Sequence, residues 1–410
     1  AFDVLQNTYS KSDNVMIAVE AENGDIFTAE NLQALVELTE QAWQLPYSSR
    51  VDSITNFQYT TAVEDDLSVE DLVRHPLKMS AQKIQQIKQI ALVEPLLIHR
   101  LISQAAHVSA VNVTMQLPGT NPMEAMEIAA EVRQLAKDFQ LKYPTLKLHL
   151  SGVVMMNNAF GEAALNDNSS LLPIMYGIVL LVLILCLRSF TATTGVILLI
   201  VSAIVAALGI AVYLGVKLTP TSASAPTIIL TMAVADCVHL LVTFLHNIRL
   251  GHEKKFAMQE SLRINFQPIF LTSATTTIGF MSLNFSDAPP FRDLGNVVAL
   301  GVVIAFMLSV TLLPALMVIL PVRAKVKAHE SSKQMHFLSE FVIKYRKLLL
   351  IGNGILALAM MSFIPLNEIN DEFVKYFDET IEFRRASDFL NENLGGIYNI
   401  EFSVDTGEAG

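Results

Sequence analysis

Six long apolar runs fill the second half of the chain: Leu171–Leu187, Ala192–Val216, Ala225–Leu245, Pro268–Phe285, Leu294–Leu320 and Leu348–Leu366. Each is near the roughly 20 residues that carry a helix across a bilayer. The first and fourth are the short ones, and the first extends backward through Ser169 and Ser170. Residues 1–165 follow other rhythms. Asn14–Glu20 reads as a strand, followed by a turn at Asn23-Gly24-Asp25. Thr28–Trp43 spaces Leu32, Leu35, Val36, Leu38 and Trp43 as one face of a helix. Arg50–Phe57 alternates like a strand, and 64–107 reads as a helical insertion. Val108–Leu117 is strand-like, with Pro118-Gly119 as its turn. A helix over Asn121–Tyr143 enters through Pro122 and stops before Pro144, and Thr145–Ser151 is the last strand. The order β-α-β-(insert)-β-α-β fits a ferredoxin-like sandwich. The expected fold is therefore an α-helical multi-pass membrane bundle of six helices joined to an α+β domain.

That pattern divides the chain into a domain over 1–165, five membrane helices within 166–320, a link at 321–347, a sixth helix at 348–366 and a further segment at 367–410. Composition agrees. Among the 410 residues, 52% are hydrophobic and only 16% charged, well below the roughly 25% charged residues of soluble domains. The net charge of −11 gives no support to nucleic-acid binding. Two cysteines, Cys186 and Cys237, lie inside apolar runs and make neither a disulfide framework nor a metal site. Basic residues set the orientation: the links after the first, third and fifth runs hold twelve Lys and Arg, against Lys217 and Arg292 on the other side. The odd links are expected to be cytoplasmic and both chain ends outside.

An outside domain of 165 residues needs a membrane segment ahead of it, and the opening Ala-Phe-Asp-Val-Leu-Gln is no signal peptide. A first helix is thus expected before residue 1. Asn399–Gly410 (NIEFSVDTGEAG) echoes Asn14–Asp25 (NVMIAVEAENGD). Each copy would follow a membrane helix and open an outside domain. The sixth run then begins a second repeat, a common transporter arrangement, and the second half of that repeat is expected beyond residue 410.

The candidate chemistry lies inside the runs. Asp236 is one residue from the midpoint of Ala225–Leu245. A carboxylate at that depth costs about 2.5–3.5 kcal/mol by insertion scales, and such acids usually mark proton or ion paths. His239 follows at i+3, which is expected to place both side chains on one helix face. Thr275, Thr276 and Thr277 bracket the centre of the next run and offer hydroxyls at the same depth. These five residues are the expected proton relay. The bland alternatives are a protonated acid that only ties helices together, and threonines that pack helices with Gly279. The spacing of Ser202, Ala206 and Gly209 reads as packing, and Pro226 and Pro314 as kinks. Absence of G-x-x-x-x-G-K-[ST] argues against ATP, and absence of H-E-x-x-H against an intramembrane metalloprotease. His75, His99, His107, His149 and His246 show no ligand spacing. No cofactor, metal or enzymatic activity is expected.

Met232–Leu241 (MAVADCVHLL), Gln267–Leu283 (QPIFLTSATTTIGFMSL) and Phe291–Leu320, which carries a Leu-Leu-Pro-Ala segment, resemble the resistance–nodulation–division (RND) superfamily in its MMPL-like branch of predicted exporters. Glu253–Asn265 is similar to the cytoplasmic amphipathic helix of that family. The resemblance implies a porter domain at 1–165, membrane helices two to six, helix seven, and the start of a second porter domain. It gives Asp236 the relay position of the fourth membrane helix. Many MMPL-like members have Asp-Tyr there; this chain has Asp236-Cys237, with His239 beyond. The double aspartate of drug-efflux pumps is missing. The expected activity is proton-driven export of a hydrophobic or lipid-like substrate from a bacterial inner membrane, with the large domains periplasmic. Partners would be membrane lipids, protons and the second half of the protein. Two rivals stay open: a proton-coupled accessory factor for protein export, and a sterol-sensing-like lipid-binding regulator. Coupling to sodium in place of protons, and self-association, also stay open.

Overall fold

The computed structural model describes residues 13–396, except 23, 64–65, 120, 122, 217–218, 220, 323–332 and 369–371. The echo at Asn399–Gly410 and the entry through Pro122 fall outside the described residues. The chain forms two compact units, one of residues 1–163 with 370–410, the other of 164–369.

The first unit is built on strands β1 (Asp13–Ala21), β2 (Ser48–Asp52), β3 (Gln58–Val63), β4 (Asp66–Asp71), β5 (Val108–Met115) and β6 (Leu146–Ser151), with helices α1 (Ala29–Ala42), α2 (Ala81–Val93) and α3 (Glu124–Lys142). Four strands pair in the order β2-β5-β1-β6. Ile17 sits opposite Val111 on one side and Leu150 on the other, both pairings antiparallel. This is the strand order of two interlocked β-α-β units, as in the ferredoxin-like arrangement. Alternation decides the register: Val15, Ile17 and Val19 are buried with Val111 and Val113, so a slip of one residue would turn the apolar set outward. Leu32, Leu35 and Leu38 of α1 and Ile128, Val132 and Phe139 of α3 complete the core. The Thr28 hydroxyl accepts from the Asn31 N–H and starts α1.

The insertion is not wholly helical. Its first element is the strand β4, which pairs with β3 just ahead of it, and only Ala81–Val93 forms a full α-helix. Helix α12 (Glu382–Asn393), near the end of the chain, belongs to this same unit and packs on β6. The Ser151 and Ser387 hydroxyls bond at 2.7 Å, and the His149 ring stacks on Phe389 at 3.8 Å. Burial holds the His149 pKa below its ordinary value, against the pull of Glu20, whose Oε2 lies 2.9 Å from Nε2; Lys147 also lowers it. A histidine whose folded-state pKa is depressed binds more protons unfolded, so its contribution is complete above about pH 6.5 and is lost as pH falls below that. The protection factors of the α12 amides, which are exchange rates corrected for the intrinsic base-catalysed rate, should therefore fall between pH 7 and 5, and His149→Gln should flatten that response.

The second unit contains α4 (Val153–Leu187, whose first turns belong to the first unit), α5 (Phe190–Tyr213), α6 (Ala225–Arg249), α7 (Lys254–Met281), α8 (Pro289–Val310), α9 (Leu312–Ile319), α10 (Lys333–Lys344) and α11 (Arg346–Met361). Among the described residues five spans are long and apolar enough to cross a membrane, with α8 and α9 together making one of them. The fourth run of the sequence falls in α7, which is not among the five. Its threonines, Asn265 and Gln267 lower its apolar content although its 28 residues give ample length. Pro226 starts α6 and does not kink it. Before Pro314 the chain breaks at Thr311, between α8 and α9, because proline cannot donate to the Val310 carbonyl.

The packing face of α5 is Gly195, Leu199, Ala203, Ala207 and Ala211, all buried, not the Ser202–Ala206 spacing. Steps of four make the ridge that fits a neighbouring groove. Gly301 of α8 meets this ridge, since a Cβ there would lie 3.4 Å from that of Ala207 and 2.3 Å from Ile229. Basic side chains close carbonyl ends at one pole of the unit: Arg249 Nη2 donates to Leu187 O at 2.9 Å and Lys254 Nζ to Leu320 O at 2.7 Å. No residue of α11 is buried.

Candidate functional site

Helices α6 and α7 run antiparallel through a short turn, and polar side chains lie along their seam. On α7 the buried positions Ala257, Ser261, Asn265, Ile269 and Ser273 recur every fourth residue. A ridge with that period faces one neighbour along its length. Opposite it, α6 presents Ala233, Asp236, Cys237 and Leu240, all buried. Small side chains let the helix backbones approach, and each polar group on the seam finds a partner across it or on its own helix.

Three contacts cross the seam. Ser261 Oγ donates to the Leu240 carbonyl at 2.6 Å. Asn265 Nδ2 donates to Thr243 Oγ1 at 3.0 Å and to the Ser261 carbonyl at 2.9 Å. Ser273 Oγ donates to Asp236 Oδ2 at 3.2 Å. From Ser261 to Ser273 is about 18 Å along an ideal helix.

Asp236 is 2% exposed. Among the described residues the Ser273 hydroxyl is its one side-chain hydrogen-bond donor, and no Lys, Arg or His pairs with it. A buried carboxylate without a cation owes its charge to whatever water reaches it. Ser273 Oγ can donate to the ionised acid or accept from the protonated one.

The other residues expected in the relay are placed differently. Thr277 Oγ1 donates to the Ser273 carbonyl at 2.7 Å, one turn beyond the acid's partner. Thr275 is exposed and bonds back to the Leu271 and Thr272 carbonyls. Thr276 is half-buried and makes no side-chain hydrogen bond among the described residues. His239 has an exposed ring, and its carbonyl accepts from Thr243 Oγ1 at 3.3 Å. The acid thus meets Ser273, not the threonine trio or His239. The signal for Ser273 was the four-residue stripe; matching of depth alone pointed past it.

Ser273→Ala leaves Asp236 without its donor. An unmade bond to a buried charged group costs about 1–3 kcal/mol or more. The expected result is a lower melting temperature of the helical unit. Ser273→Thr, which restores the hydroxyl, should recover most of the loss. Thermal unfolding of both variants in detergent checks this.

The profile of the MMPL family matches residues 3–344, covering the first unit's sheet and the α6–α7 seam. A protein of Methanocaldococcus jannaschii, named as a membrane protein, is 30% identical over 106 residues, which are 26% of this chain and 27% of that relative. The match thus spans about a quarter of the relative's length.

Proposed function

The chain belongs to the MMPL family of RND-type membrane transporters, and from that premise we propose that it is part of a proton-driven exporter of a hydrophobic or lipid-like substrate. In this reading the membrane helices transduce and the first unit, a porter domain on the periplasmic side of a bacterial inner membrane, handles substrate. The observation that carries it is Asp236: a buried carboxylate at the middle of an apolar helix, unpaired with any cation among the described residues, and bonded to a hydroxyl of the neighbouring helix.

The coupling is physical. If the seam opens alternately to either side, Asp236 takes a proton from one and releases it to the other. Each charge moved is worth about 2.3 kcal/mol per 100 mV of membrane potential. That energy reaches the porter domain only if protonation favours one arrangement of the helices. The exposed surface of α11 fits lipid or the helices of a second half.

The test uses the full-length protein in liposomes. Transport of a fluorescent long-chain lipid should follow an imposed proton gradient and stop when a protonophore collapses it. Transport that persists without a proton gradient and tracks sodium at fixed pH would replace the proton with sodium. Lipid binding without any gradient-dependent movement would favour a regulatory role.

A further inference from the structure

A cleft of about 450 Å³ lies in the first unit, within the usual size range of ligand pockets. Its floor includes Met16 of β1 and Asn112 of β5, on the sheet face opposite the helices α1 and α3. One wall is the segment from Arg50 to Gln58, the other the turn from Leu96 to Leu101, and Gly395 and Gly396 close an end.

The lining is two-sided in chemistry. Met16, Phe57, Leu96 and Leu101 are apolar; Arg50, His99 and Arg100 are basic. The one carboxylate in the lining, Asp52, is already held by Arg50 at 2.8 Å. Arg100 has no acid partner and no side-chain hydrogen bond among the described residues. His99 stands in the left-handed region at φ 60°, a conformation that non-glycine residues adopt at an energetic cost and that often marks functional positions. Its N–H donates to the Ile102 carbonyl at 2.9 Å, and a Cβ on Gly395 would come within 3.0 Å of its own carbonyl. The backbone there is held on both sides, and it places two basic residues, neither paired among the described residues, next to a floor that is part apolar (Met16, Phe57, Leu101) and part amide (Asn14, Asn112).

We propose that this cleft binds the anionic head group, phosphate or carboxylate, of an amphiphile whose chain lies over Met16, Phe57 and Leu101. Arg100 and His99 take the head group, Arg100 by the forked geometry that matches phosphate and carboxylate oxygens. The physiological meaning rests on the exporter reading, in which this would be a substrate site of the porter domain; the binding itself does not depend on it.

Equilibrium dialysis of radiolabelled octyl phosphate against the whole 410-residue chain in neutral-lipid nanodiscs tests the site. Arg100→Glu should weaken binding at least tenfold, whereas Lys137→Glu, a reversal on the exposed side of α3 and outside the cleft lining, should leave it unchanged. Unlabelled octyl phosphate should compete well, inorganic phosphate at least tenfold less well, and octyl glucoside hardly at all. Equal binding in Arg100→Glu overturns the site. Equal competition by inorganic phosphate overturns the amphiphile and leaves a free-phosphate site. Equal competition by octyl glucoside overturns the head-group claim. Asp236→Asn should bind octyl phosphate normally, so failure of the coupling reading and failure of this one are distinguishable.

Discussion

Asp236→Asn in the full-length protein abolishes transport, by a hundredfold or more, while expression and folding stay close to the parent. The substitution keeps the shape of the side chain, and the amide oxygen can still accept from Ser273 Oγ, which lies 3.2 Å from Oδ2. Only titration is lost. A charged aspartate at mid-membrane costs about 2.5–3.5 kcal/mol by insertion scales; the neutral amide avoids that cost, so stability should hold or rise slightly. A purely structural acid would behave in the opposite way. It would tolerate Asn in function and respond to Asp236→Ala, which strands the Ser273 hydroxyl on a buried seam at about 1–3 kcal/mol. Gradient-driven uptake in liposomes, with melting temperatures of both variants alongside, separates the cases. Normal transport by Asp236→Asn would show the acid to be a helix tie.

How far the sequence could be read follows from where burial is one-sided. The sheet was legible because Asn14–Glu20 and Val108–Leu117 alternate against a single core, and their pairing leaves Val15, Ile17, Val111 and Val113 fully buried. The hairpin β3–β4 was not: Leu67 and Val69 alternate with polar residues, but both are exposed and face only Ala62 and Thr60, so the period of two is too short to fix a strand. The long α4 was seen only from Ser169 on. Its first half, with Asn157, Asn158, Asn166 and Asp167, is helical but polar. Within the site, Asp236 was legible as the only charged residue of its run. Its partner was not, because matching by depth took the centre of the apolar stretch at Thr275–Thr277. The helix in fact begins at Lys254, and the ridge it turns toward α6 passes through Ser273. The i+3 position of His239 lies about 60° round from Asp236, enough to carry its ring off the seam. Depth and spacing locate polar groups, but which ridge meets which neighbour depends on packing between helices.

Gly152→Ala is expected to destabilise the first unit by roughly 3 kcal/mol or more, the sum of a strained backbone and a clash. Gly152 joins β6 to α4 at φ +103°, a conformation open to glycine and poorly tolerated by any side chain. Space is also missing. A Cβ at this position would lie 2.6 Å from the Asn14 carbonyl oxygen and 3.0 Å from the Met16 nitrogen. Both atoms belong to β1, the strand paired with β5 on one side and β6 on the other. No rotamer change can relieve a contact with backbone, so either β1 or the start of α4 must move. Such movement would also break the bond from Val153 N–H to Asn14 Oδ1, 3.1 Å long. Gly24 supplies the control. It has φ +80° and nothing within 4 Å of an added Cβ, so Gly24→Ala carries only the backbone cost of about 1–2 kcal/mol. In thermal or denaturant unfolding of the two variants, the loss at Gly152 should clearly exceed that at Gly24. Equal losses would mean that β1 yields freely to the added methyl group and that the junction is not the rigid joint its geometry describes.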